Sequence, residues 1–177
     1  MFNKFNWNKQ IYKNDLITVI VFGLATAILG GILAGFLDAF ILSISSDLGL
    51  GLNISFSILV LALLVGFAVK KGYESYHVLY SVLALVFFFI GLFFSYVFEF
   101  VALLAINKQI NGGGEFFRFL GIILSRGDTY YSFFFPINTL INDFTVAKLF
   151  YFIINIAFLA VGFLGVYRIS IDRNKID

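Results

Sequence analysis

Cysteine is absent from the 177 residues, proline and histidine occur once each, and charged side chains make up 12%. Without thiols there is no disulfide, no iron–sulfur cluster and no thiolate metal site, and one histidine cannot supply a usual zinc site. His77, at the mouth of an apolar run beside Lys70, Lys71 and Glu74, is expected to be an uncoordinated interfacial residue. The shortage of charge excludes more. A soluble domain carries about a quarter charged residues because its surface faces water. Here 61% of the residues are hydrophobic, so the outside of the fold must face something apolar, and the lipid bilayer is the expected partner. A net charge of +2 gives no reason to expect nucleic acid. No nucleophile–base pair is visible. The three glycines after Asn111 lack the Lys-Ser/Thr of a phosphate loop. The chain therefore reads as a non-enzyme without a cofactor.

What the sequence does have is long uncharged apolar runs, at residues 16–37, 50–69, 78–98 and 149–167. A bilayer core of about 30 Å needs about 20 apolar residues in a helix. The reading is a single all-α domain, an integral membrane four-helix bundle. The first run follows Lys4, Lys9 and Lys13, as a signal peptide would. It is longer than an ordinary signal core and lacks a prompt small-x-small cleavage site, so it reads as a retained span. The 25 phenylalanines, with many Ile, Asn and Lys, fit an AT-rich bacterial gene, and so the cytoplasmic (inner) membrane.

Basic residues orient the spans, because Lys and Arg concentrate in cytoplasmic loops. The N-terminal tail, the turn after the second run (Lys70, Lys71) and the C-terminal tail (Arg168, Arg173, Lys175) fall on one side. The short first loop carries Asp47 and no base, while Lys108, Arg118, Arg126 and Lys148 lie between the last two runs. Both termini are thus expected in the cytoplasm.

Residues 111–147 are not an ordinary polar loop. A glycine joint at 112–114 leads into an apolar stretch, 115–125, that places Glu115, Arg118, Gly121 and Ser125 on one helical stripe. It is too short to span and suits an amphipathic helix in the exoplasmic interface. Glu115 favours its N-terminus, and Arg118 is in reach of it. Residues 126–129 should break that helix, and Pro136 suits the first turn of a second short one. Two such pieces around a polar turn also fit a re-entrant hairpin, so the segment is interfacial or re-entrant.

Small residues mark the packing faces. Gly23, Ala27, Gly31 and Gly35 stand four apart on the first run, and Gly91 lies with Ser81, Ala84 and Ser95 on the third. Such ladders let backbones approach closely in lipid, within the chain or in a dimer. Asn155, mid-span, should hydrogen-bond across helices. Asp38 and Glu99 each end a small-residue face, both about 32 Å from the start of their spans. If the faces meet, the acids meet, alone or with a base such as Arg118. Otherwise they are interfacial acids in water or paired with Lys108, Arg118 or Arg126. Asp38, Glu99 and Arg118 form the candidate polar cluster.

The phrase Val65-Gly-Phe-Ala-Val-Lys-Lys-Gly72, followed by Tyr80-Ser-Val-Leu-Ala-Leu-Val86, resembles a pattern in small bacterial multi-span membrane proteins of unassigned function. That resemblance covers about a third of the chain and implies no activity or site residue. Charge-free spans without a catalytic constellation point to a non-catalytic subunit or accessory protein of a membrane complex, associating with other membrane subunits or with itself. The alternative is a small-solute transporter component that binds its ligand from the exoplasmic side through the outer carboxylates.

Overall fold

The computed structural model describes residues 10–48, 54–110, 112–134 and 145–172. Every regular element among them is a helix: α1 (Lys13–Asp47), α2 (Ser57–Lys71), α3 (Val78–Ile106), α4 (Gly113–Ser125), α5 (Gly127–Phe134) and α6 (Val146–Ile169). Three of these, α1, α3 and α6, are long and apolar enough to cross a membrane. The chain is thus an all-helical protein of multi-pass membrane character.

Local chemistry sets the helix ends. The His77 Nδ1 accepts the Leu79 N–H at 3.0 Å, and the Thr145 hydroxyl accepts the Lys148 N–H at 3.2 Å, so each caps the helix that follows it. His77 is therefore a buried cap. Lys70 and Lys71 close α2, and Arg168 lies in the last turn of α6, where the helix dipole favours cations. With no proline or charge to stop them, α1 and α3 run on past Asp38 and Glu99 for another two turns or more.

The second apolar run departs most from expectation. Its helix begins at Ser57 and has 15 residues, covering about 22 Å at 1.5 Å per residue. Residues 54–56 precede the helix, and 50–53 lie outside the described residues. The anticipated helix over 115–125 is present as α4. Its break is confined to Arg126, whose backbone is extended (ψ 126°), and α5 starts directly at Gly127. The second short helix expected from Pro136 lies outside the described residues.

Packing follows the small-residue faces. A Cβ on Gly23 would strike the Phe87 ring, one on Gly31 the Gly91 carbonyl oxygen, and one on Gly35 the Ser95 carbonyl oxygen. Gly91 in turn has the Ala27 carbonyl oxygen 3.0 Å from its own Cβ position. These pairs rise together, so α1 and α3 are parallel and in backbone contact along one ladder. Gly30 faces Leu61 and Gly72 faces Val19, so α2 runs antiparallel to α1. Gly162 meets Ile58 and Phe88, and Gly66 meets Ile169, which sets α6 alongside α2 and antiparallel to α3. The start of α1, the 72–77 turn and the end of α6 therefore share one end of the molecule.

The core is uneven. α3 buries twelve residues, α6 only Gly162 and Val166. One apolar cluster joins α1, α2, α3 and α6 around Val19, Leu61, Val65, Phe88 and Val166. A second joins the far half of α3 to α4 through Val97, Val101, Ile110 and Ile123.

Candidate functional site

Two polar centres sit at opposite ends of the helices. The first is built on Asp38. Although 25 residues into an apolar helix, its side chain is buried and its residue is 5% exposed. One carboxyl oxygen accepts the Ser57 N–H at 3.4 Å, and the other accepts the Ser57 hydroxyl. Ser57 opens α2. Asp38 of α1 therefore does from a neighbouring helix what a capping residue does within its own: it accepts from an N–H that has no helical partner. The positive end of the α2 dipole favours a negative charge there.

A second side chain holds the same stretch. The Asn155 Oδ1 on α6 accepts the Ser55 N–H at 3.0 Å. The start of α2 is thus held between α1 and α6. Asn155 bonds across elements, and its partner is backbone just outside α2.

Glu99 lies beside this centre. Its backbone nitrogen is 2.7 Å from where a Gly35 Cβ would be, three residues before Asp38 on α1. The small-residue ladder thus brings together the two stretches of helix that carry the acids. Arg118 does not join them: it is exposed on α4, and among the described residues neither acid has an ion-pair partner. The ion pair in that region joins Arg126 to Asp128 at 3.0 Å, with both side chains exposed. No group of three potential metal-ligating side chains occurs among the described residues.

The second centre is a hydroxyl network at the other end. The Tyr73 hydroxyl donates to the Ser170 carbonyl oxygen at 2.5 Å and accepts the Asp172 N–H at 2.9 Å. The Ser81 Oγ lies 2.9 Å from the Ser170 Oγ and 3.0 Å from the Tyr76 hydroxyl. Tyr73 stacks on Tyr80 with centroids 5.1 Å apart, and Lys70 pairs with Asp172 at 3.8 Å. Burial pushes the Tyr73 and Tyr76 phenols above the usual tyrosine value, so both stay neutral. Nearby, an Asp15 carboxyl oxygen accepts the Glu74 and Ser75 N–H groups at 3.1 and 3.2 Å. An open cleft of about 400 Å³ is lined there by Tyr12, Asn14, Asp15, Glu74 and Ser75.

Sequence reading missed this network. Its signal was a cluster of tyrosines at 73, 76 and 80 facing a serine just past the last apolar run, and it is visible only once α6 is known to lie against α2 and α3. Both centres are closed. Among the described residues no fully buried side-chain nitrogen or oxygen lacks a hydrogen-bond partner. The chain matches no family model, no curated protein and no solved structure.

Proposed function

We propose that this chain is a non-catalytic subunit or accessory protein of a bacterial inner-membrane complex. The observation that carries the reading is the bareness of α6. It is long enough to span, yet buries only Gly162 and Val166 within its own chain. Val146, Phe150, Ile153, Val161 and Leu164 are all more than half exposed. It packs on α2 and α3 along a narrow face through Gly162 and Val166, with polar bonds from Asn155 to Ser55 and from Ser170 to Ser81. A helix held along one narrow face and bare over the rest is suited to present that bare surface to another membrane subunit.

In this reading α2 is the fourth span of the bundle, and both termini are cytoplasmic. The Lys70, Lys71 and Arg168 end then faces the cytoplasm, as basic residues favour. The α4–α5 segment belongs to the exoplasmic side and dips into the bilayer. Phe116 meets Phe98, whereas Phe133 meets Phe89, about 13 Å deeper along α3. That depth favours the re-entrant form over a purely interfacial one.

The Asp38–Glu99 pair supports a second reading, a small-solute transporter component with its ligand entering from the exoplasmic side. Transport sites place polar or ionisable groups within spans. Purification at native level in mild detergent separates the two. The expected result is a stoichiometric protein partner. An isolated chain carrying a bound small molecule replaces the accessory reading with the transporter.

A further inference from the structure

We propose that α4 and α5 move as one body, a hinged lid that closes over the far half of α3. Two side-chain bonds lock the joint at Arg126. The Thr129 hydroxyl donates to the Ile123 carbonyl at 2.8 Å, and the Tyr130 hydroxyl to the Leu124 carbonyl at 2.7 Å. The two helices are therefore tied to each other across the joint. Toward α3 the lid makes ring contacts: Phe116 to Phe98, Tyr130 stacked on Phe93 at 5.4 Å, and Phe133 to Phe89 at 5.4 Å. Among the described residues no backbone hydrogen bond joins it to α3. Ile123 is the single buried residue of α4, and no described side chain of α5 is buried.

The hinge is the glycine run. Gly112 has φ +106°, a conformation L residues rarely adopt. Gly113 and Gly114 have nothing within 4 Å of a Cβ position, so no close approach requires glycine there. What they contribute is backbone freedom where the lid begins. Beneath it lie Val97 and Val101, both fully buried, next along α3 to Glu99. The lid is seated by rings and by a side-chain hydrogen bond between Ser132 and Tyr96, contacts that can separate without leaving a backbone group unpaired, on a glycine joint with open space around Gly113 and Gly114.

The absence of cysteine makes the test clean. Spin labels on Phe117→Cys of α4 and Leu33→Cys of α1, both positions about 70% exposed (72% and 67%), report the lid-to-bundle distance in the full chain in lipid nanodiscs. Removing one seating ring in Phe133→Ala is expected to enrich a second, displaced distance roughly twofold to tenfold. Adding Gly113→Ala and Gly114→Ala, for which there is room, is expected to suppress it. A displaced population that follows this pattern supports the lid whether or not the native chain shows one. One distance common to every variant, or a displaced population that the hinge alanines leave unchanged, overturns it.

Discussion

At the residue scale Asp38 is the informative side chain. Its position at the end of a small-residue face was legible in the sequence, because Gly31, Gly35 and Asp38 share a helical stripe. Its partner was not. The apolar run begins at residue 50, so hydropathy places the helix start well before Ser57, and no charged residue or proline interrupts the run to mark the true one. Asp38→Ala removes both acceptors from Ser57 and leaves a buried N–H and hydroxyl unsatisfied, which costs about 1–3 kcal/mol for such groups. Asp38→Asn keeps an acceptor oxygen and is expected to lose clearly less. Thermal unfolding in detergent would show the order, with the native chain most stable, Asn intermediate and Ala least. Equal stability of the Ala and native chains would mean the contact to Ser57 carries no weight.

At the scale of elements, the α1–α3 pair depends on the absence of side chains. Lipid tails are as apolar as any side chain, so helices in a bilayer associate through close packing rather than by escaping water. The four-residue spacing revealed the ladder on α1, and Gly91 on α3 was legible for the same reason. What spacing cannot say is which helix lies opposite, and a dimer face would look identical. The obstacle at Gly31 and Gly35 is α3 backbone, which cannot rotate away as a side chain can. Gly31→Ala is therefore expected to lower the melting temperature, and Gly31→Leu to disrupt the bundle. Gly165→Ala is the matched control: it lies on α6 with nothing within 4 Å of its Cβ position, and it should leave stability unchanged. Similar melting for all three variants would contradict the ladder as the α1–α3 contact.

At the scale of the molecule, direction was readable and placement was not. Alternating spans follow from run length and the basic residues, and the structure brings the start of α1, the 72–77 turn and the end of α6 to one end. The position of α4 and α5 against α3 depends on ring contacts between residues nearly forty apart, such as Phe93 and Tyr130. Amphipathic periodicity says which face of a helix is apolar and nothing about what that face meets. Which side of the membrane holds the shared end is an electrostatic question, and the Lys and Arg near it favour the cytoplasm. Topology reporters fused after residue 72 and at the C-terminus are expected to read cytoplasmic, and one after residue 48 exoplasmic. A sharper form shifts the charge: replacing Lys70 and Lys71 with Gln removes both bases of the α2–α3 turn. Because Lys4, Lys9, Lys13 and the C-terminal bases remain, the orientation should hold, with the reporter at 72 still cytoplasmic. A cytoplasmic signal at residue 48 in the native chain would invert the molecule, placing the Asp38 centre and the α4–α5 segment on the cytoplasmic side.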